Sequence, residues 1–105
     1  MSDVLSLEKQ LNNAKELVVK RELALKLSEN PEFRKLILED FCVTECARYA
    51  QLSADPGLSD RERQDSLALA QAAGHLRRFL SVTIQQGYVA SNSMQDLEDE
   101  IEAAR

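Results

Sequence analysis

The sequence has 105 residues, a formal net charge of −5, 44% hydrophobic residues and 30% charged residues. It contains no Trp, three Phe, two Tyr, three Gly and two Pro, and this shortage of aromatic and turn residues argues against β-sheets. We therefore predict an all-α fold, and the length limits it to a single small helical domain spanning residues 1–105.

Most of the negative charge lies at the C-terminal end. Residues 96–105 contain five acidic side chains and one basic side chain, so this segment carries −4 of the total and residues 1–95 carry only −1. A nearly neutral body lacks the broad basic face that supplies most of the affinity for a phosphate backbone. The charge pattern therefore argues against nucleic-acid binding.

The first predicted helix covers about residues 3–27. Apolar or small residues recur along it on a three-then-four spacing, broken at Arg21, and form a first seam: Val4, Leu7, Leu11, Ala14, Val18 and Leu25. A period of about 3.5 residues is typical of a coiled coil or a long helical bundle. Asn30 is a favoured N-cap and Pro31 a favoured first helical residue, so a second helix begins almost directly after the first. Such a short connection predicts antiparallel neighbours or a corner.

The second predicted helix covers about residues 31–52. Its apolar side is wide and contains Phe33, Leu36, Ile37, Leu38, Phe41, Cys42, Val43, Cys46, Ala47 and Ala50. A helix that is apolar almost all round is usually buried on more than one side, so we expect it to form the centre of the fold. The turn Asp55-Pro56-Gly57 follows, because the residue before proline leaves the α region and glycine tolerates positive φ.

The third predicted helix begins at about residue 59, where Ser59 and Glu62 have the spacing of a capping box. A second seam runs along it: Ala73, Leu76, Leu80, Thr83, Gly87, Ala90, Met94, Leu97 and Ile101. The helix covers residues 59–90, and residues 93–104 either continue it or form a separate acidic helix, since Gly87 and the polar run 91–93 are weak points. The predicted architecture is an antiparallel helical hairpin or a three-helix bundle with a long third helix, straight or kinked.

Cys42, Cys46 and His75 are the candidates for chemistry. The two cysteines are one helical turn apart, but a closed zinc site needs four ligands, and the chain contains one histidine and no second cysteine pair. Two small buried hydrophobic residues are the simpler interpretation. His75 has no recognisable catalytic partner in the sequence, and the three glycines are too isolated to form a phosphate loop. We therefore predict no enzyme activity, no bound metal and no cofactor.

The second seam and its neighbours form the predicted interface with a protein partner. Gly74 and Gly87 each cost about 1 kcal/mol relative to alanine in a helix, so a close approach by another helix is the expected reason for them. Arg77 and Arg78 form the most basic short patch and suit an acidic partner. The predicted interface residues are Leu76, Arg77, Arg78, Leu80, Gly87, Met94, Leu97 and Ile101.

No stretch has the features of a secretory signal or of a membrane span. The N-terminal segment is amphipathic, with lysines interspersed among acids, and no apolar run approaches ~18 residues. We expect a soluble, intracellular protein that is not secreted.

Five segments carry a resemblance to a known group of proteins: the long N-terminal helix, Asn30–Leu38, Ala54–Pro56, Gly74–Leu80 and Gln86–Gly87. This layout resembles small helical proteins encoded among the virion-assembly genes of tailed bacteriophages. The resemblance implies a head, neck, decoration or morphogenesis component, located in the virion or the host cytoplasm. It carries over no catalytic residue.

Two functions are expected from these observations. The first is a non-enzymatic structural or assembly-assisting protein that forms homo-oligomers or docks on a larger protein assembly through its helices. The alternative is a small intracellular inhibitor or adaptor that binds a host enzyme, with either the acidic C-terminal helix or the Arg77 and Arg78 patch as the contact.

Overall fold

The computed structural model describes residues 3–105, and these contain helices and no β-strand. The elements are α1 (Val4–Glu29), α2 (Pro31–Phe33), the π-helix π1 (Arg34–Glu45), α3 (Cys46–Ser53) and α4 (Asp60–Ala104). The all-α fold class predicted from the composition is confirmed. None of the described helices is long and apolar enough to cross a membrane.

The boundary between α1 and α2 is set by local side-chain chemistry. The side chain of Asp3 accepts a hydrogen bond from the backbone N–H of Ser6 at 2.7 Å, at the start of α1. After α1 ends, the side chain of Asn30 accepts a hydrogen bond from the backbone N–H of Phe33 at 2.8 Å, and Pro31 occupies the first turn of α2. Asn30 is therefore the N-cap that the sequence predicts.

The segments α2, π1 and α3 form one unbroken helical run, since the backbone is helical at both junctions, Phe33 and Cys46. Over the twelve residues of π1 the hydrogen bonds join residues five apart. Lys35 shows the effect on side chains, because its Nζ lies 3.0 Å from Asp40, five residues on, and 3.4 Å from Glu39. The hydrogen bond that Lys35 donates to Asp40 and the negative charge of Asp40 are the main causes that raise the pKa of Lys35.

The π-helical turns explain why one expectation about this segment is wrong. An apolar side laid out for 3.6 residues per turn does not stay on one face when each turn contains more residues. Only Cys42 is buried in π1, whereas Leu36 and Val43 of the same segment are exposed. The second helical segment is therefore not buried on more than one side.

Helix α4 begins at the predicted capping box and runs without interruption to Ala104. The hydroxyl of Ser59 accepts a hydrogen bond from the N–H of Glu62 at 3.1 Å, and the carboxylate of Glu62 accepts one from the N–H of Ser59 at 3.3 Å. Ser91 and Ser93 do not break the helix, because their hydroxyls donate to helix carbonyls three residues earlier, at 2.9 and 3.0 Å. Residues 93–104 are thus a continuation of the third helix.

The chain divides into two compact units. The terminal unit contains the residues up to Lys26 together with Ser81–Arg105, and the central unit is Leu27–Leu80. In the terminal unit, α1 and the end of α4 are antiparallel: Arg21 hydrogen-bonds to Gly87, and Glu8 forms an ion pair with Arg105 at 2.9 Å. Its buried residues are Leu7, Ala14, Ala24, Gly87, Ala90 and Ile101.

The central unit places the two cysteines against the first half of α4. The thiol of Cys42 lies 3.9 Å from the carbonyl oxygen of Ala73, and that of Cys46 lies 3.4 Å from the carbonyl oxygen of Ala70. Ser66 is also buried in this unit, and its hydroxyl donates to the carbonyl of Glu62. At these two points a cysteine thiol therefore lies directly against the backbone of α4.

Candidate functional site

A groove between α1 and the end of α4 is a largely apolar concave surface of the terminal unit. Its volume is about 470 Å³. We call it the amide groove, because four of its ten lining residues have side-chain amides; the ten are Gln10, Asn13, Ala14, Leu17, Gln85, Gln86, Val89, Ala90, Ser93 and Leu97. Of the residues that the structure describes, no charged one lines it.

The amide groove exists because its floor is made of small residues. Ala14 and Ala90 are both buried, one on each helix, at seam positions where larger side chains would fill the space. Val89 stands at the edge of the groove with 61% of its surface exposed. Covering this exposed valine and the amide groove beside it with another protein surface would be favourable, because it would remove apolar area from water.

Gly87 allows the two helices to approach closely beside this groove. A Cβ atom added to Gly87 would lie 2.2 Å from the Cβ of Arg21 and 2.8 Å from its Cγ and Cδ. Such distances leave no room for any side chain at residue 87. The predicted packing reason for this glycine is therefore present, and the helix that comes close is α1 of the same chain. Gly74 differs, because an added Cβ would meet nothing within 4 Å.

Arg21 occupies the position that interrupts the first seam, and its side chain is only 13% exposed. The guanidinium donates to the carbonyl of Gly87 at 3.3 Å and to the hydroxyl of Ser91 at 3.1 Å. It also lies over the ring of Tyr88, 4.7 Å from the centroid, and pairs with Glu22 at 2.7 Å. A charged group with this many specific partners is satisfied in one alignment of the two helices, so it specifies their register.

A second groove of the terminal unit has the opposite chemistry. We call it the charged groove; it is lined by Glu8, Leu11, Glu98, Ile101, Glu102 and Arg105. Three of its six residues are acidic and one is basic. The two grooves of the same helix pair therefore present one neutral surface and one charged surface to a partner.

The structure separates the predicted interface residues into those in the terminal unit and those in the central unit. Gly87 and Ile101 are buried in the terminal unit, where Met94 and Leu97 are half-buried, and Leu97 also lines the amide groove. In the central unit, Leu76 and Leu80 are half-buried. Arg77 and Arg78 are exposed there, and neither forms an ion pair within residues 3–105.

The cysteines and the histidine are not brought together. Cys42 is buried, Cys46 is half-buried, and both are free thiols. His75 is exposed. Across residues 3–105, no three His, Cys, Asp or Glu side chains form a group with the geometry of a metal site.

The residues that the sequence interpretation missed lie beside the seams. Every seam position is buried or half-buried, so each seam correctly marks the sheltered side of its helix. The groove edge is formed instead by Val89, Gln85 and Gln86, which belong to neither seam. The signal was present as a second stripe, because Val82, Gln85, Gln86 and Val89 share the three-then-four spacing.

Comparisons of this chain with protein-family models, with curated proteins and with solved structures found no match.

Proposed function

We propose that this protein is a non-enzymatic structural or assembly-assisting component that works through helix-mediated contacts with other proteins, in the virion assembly of a tailed phage. The proposal rests on one observation: the chain exposes more surface to solvent than a compact monomeric protein of the same mass does. The resemblance of Asn30–Leu38 and Gly74–Leu80 to phage virion-assembly proteins supports the setting.

The size of the uncovered surface is the first argument. The accessible surface is 7726 Å². Compact monomers with a mass of 11.8 kDa expose about 5,900 Å². The excess of about 1,800 Å² is roughly twice the area of about 800 Å² that one partner buries in an interface of standard size. A chain with this surplus suits a role in which other protein surfaces cover it.

The kind of surface that is uncovered is the second argument. Among the described residues, no large side chain is fully buried, while twelve large apolar side chains are exposed. None of the twelve occupies a seam position, so the packing of the chain's own helices does not cover them. The twelve are Leu5, Val19, Leu23, Leu27, Leu36, Val43, Leu67, Leu69, Phe79, Val82, Tyr88 and Val89.

Phe79 is the best position for a test, because its side chain is 65% exposed and it adjoins the predicted interface residues Arg78 and Leu80. We expect the protein, followed by antibody in cells that carry its natural gene cluster, to sediment with large assemblies. Phe79→Asp should move most of it to the free fractions, whereas Lys15→Ala on the exposed face of α1 should not. Circular dichroism of both purified variants checks that the helices are retained.

A wild-type chain that sediments only as a free species in those cells contradicts this function. Equal sedimentation of Phe79→Asp and Lys15→Ala contradicts the placement of the contact near Phe79 while leaving the assembly role standing.

The alternative function is inhibition or adaptation of a host enzyme through the acidic end of α4. Its specific support is that Asp96, Glu98, Asp99, Glu100 and Glu102 are all exposed. None of them takes part in an ion pair in the described part of the chain. A one-to-one complex whose affinity falls steeply with salt, and which the triple variant Glu98→Gln, Glu100→Gln, Glu102→Gln loses, would favour this function.

A further inference from the structure

We propose that the outer face of α1, the side of the helix opposite its seam, pairs antiparallel with the same face of a second copy of the chain. Four exposed residues of the terminal unit define the outer face: Glu16, Val19, Leu23 and Lys26. This inference rests on the proposed function, because it specifies one of the protein contacts through which the chain assembles. It depends on the spacing of the four residues, on a recess beside Val19 and on the order of the charges.

The outer face has the spacing of a coiled-coil contact. Its residues follow one another at intervals of three, four and three, the repeat that keeps one side of a helix against a partner helix. Val19 and Leu23 form its centre, with exposed fractions of 59% and 64%. Helix α4 does not cover them, because Arg21 and the rest of the seam contact α4 from the other side of α1. Two large apolar side chains therefore stay exposed at neighbouring coiled-coil positions.

A recess on the same side of α1 has the form of the hole that a coiled-coil side chain enters. It is lined by four residues of this one helix: Lys15, Glu16, Val19 and Lys20. In a coiled coil each inserted side chain occupies a hole made by four residues of the facing helix. When Leu23 of a second copy lies opposite Val19, it enters this recess. The two-fold symmetry then places Leu23 of the first copy in the recess of the second.

The order of the charges identifies an antiparallel second copy as the partner. When Val19 lies opposite Leu23 of the second copy, Glu16 lies opposite Lys26, because each of the two charges is three residues beyond the apolar pair. The two-fold symmetry forms this ion pair twice. In a parallel pair Glu16 would face Glu16 and Lys26 would face Lys26, which is unfavourable. The outer face is therefore complementary to its own reverse, and a reversed copy of α1 provides both the apolar pair and the opposite charges.

Both charged residues are available for this contact. Glu16 and Lys26 are exposed, and neither forms an ion pair in the part of the chain that the structure describes. The net charge of −5 does not oppose an approach through α1, because Val4–Glu29 contains five basic and four acidic residues and carries +1. Lys20 is an exception to the complementarity, since it lies near the two-fold axis and comes close to its own copy.

The contact is short, so we expect a weak and reversible dimer. Residues 16–26 extend over about 15 Å of helix at 1.5 Å per residue, less than an interface of standard size needs. The apolar pair provides most of the affinity, and the exposed charges set the orientation of the two helices. A weak contact of this kind suits an assembly in which several contacts act together.

The test measures the mass of the full-length protein by sedimentation equilibrium, from about 10 μM to about 1 mM, the range in which weak contacts form. We expect the mass of the wild-type chain to rise from 11.8 kDa towards twice that value. Leu23→Lys should weaken the dimer by about tenfold or more. Leu5→Lys is the matched control, because Leu5 lies on the same side of α1, is 77% exposed and precedes the contact. Circular dichroism should show equal helix content in all three proteins.

Charge reversal tests the antiparallel pairing itself. Glu16→Lys should weaken the dimer by about fivefold, although it reduces the net charge from −5 to −3 and so lowers the general repulsion between copies. Lys26→Glu should weaken it as well. The double variant Glu16→Lys, Lys26→Glu keeps the net charge of −5 and should restore the wild-type affinity to within about twofold, because the same ion pair forms with its charges exchanged. Lys20→Gln should tighten the dimer, because it removes the like charges near the axis.

A wild-type chain that stays monomeric at about 1 mM overturns this inference, as does a dimer that Leu23→Lys and Leu5→Lys weaken equally. A double charge variant that dimerises more weakly than either single variant overturns the antiparallel pairing, and so does a dimer that Lys20→Gln weakens. None of these results affects the sedimentation experiment with Phe79→Asp, because Phe79 lies in the central unit. The dimer and the assembly role therefore fail or succeed separately.

Discussion

The terminal and central units use the same helix, α4, but the contact surfaces they make with it differ. In the terminal unit α1 approaches so closely that Gly87 has no room for a side chain, and Arg21 reaches across to α4. In the central unit the thiols of Cys42 and Cys46 face helix carbonyls, and Gly74 borders open space. The comparison teaches that one helix with the same seam spacing makes different contacts along its length: a close approach to α1 at Gly87, and contacts of cysteine thiols with its backbone at Ala70 and Ala73.

The two glycines should give the largest difference between the units. Gly87→Ala pushes a methyl group into Arg21 and should lower the free energy of unfolding by roughly 1–2 kcal/mol, because the strain exceeds the gain in helix propensity. Gly74→Ala meets nothing within 4 Å and should raise it by about 0.5–1 kcal/mol. Urea unfolding followed by circular dichroism, at one fixed protein concentration, measures both. Shifts of the same sign would break the comparison.

Two arginines stacked on tyrosines give the next largest difference. Arg21→Met keeps an apolar stem but loses two hydrogen bonds to α4 and the contact with Tyr88, and should destabilise the protein by about 1–2 kcal/mol. Arg48 also pairs with an acid, Glu45, and lies over Tyr49, at 4.4 Å from the ring centroid. The side chain of Arg48 is 53% exposed, so Arg48→Met should be nearly silent in the same unfolding assay. Equal losses of unfolding free energy in the two variants would show that the greater burial of Arg21 does not make its contacts more stabilising than those of Arg48.

The smallest effect concerns Lys35 and tests the π-helix of the central unit. Its pKa is raised chiefly by the hydrogen bond and charge of Asp40, and less by Glu39. A raised lysine pKa adds stability at pH values below the ordinary one and loses it as the pH rises through the folded value, so any effect appears only in strongly alkaline solution. Titration of the Lys35 side chain by NMR should show a larger fall in pKa for Asp40→Asn than for Glu39→Gln. The reverse order would indicate α-helical spacing in this segment.

Helix ends and sheltered faces were predictable from the sequence. Asn30 with Pro31, and Ser59 with Glu62, mark helix starts through bonds that span three residues. The two seams mark the sheltered side of α1 and α4 at every position. The break in the first seam at Arg21 was recognised too, but its role was not, because the partners of the guanidinium are 66 and 70 residues away.

Less of the candidate site was predictable. Of the eight predicted interface residues, only Leu97 lines the amide groove. The edge of the amide groove depends on which face of α1 contacts α4. In the sequence alone, a glutamine or valine next to a seam position cannot be told from an ordinary solvent-exposed residue. The exposure of Leu36 and Val43 could not be predicted either, because the prediction assumed 3.6 residues per turn and π1 does not have this period.

The sequence by itself determined the all-α class, the caps and the seams, because each depends on residues within a few turns of one another. Tertiary structure alone decided that the seam of α1 meets the end of α4, that Glu8 pairs with Arg105 across 97 residues, and that a neutral groove opens beside a charged one. The physical reason is that helix pairing depends on how side chains distant in sequence pack together, such as Arg21 against Gly87. A local sequence pattern does not determine this packing.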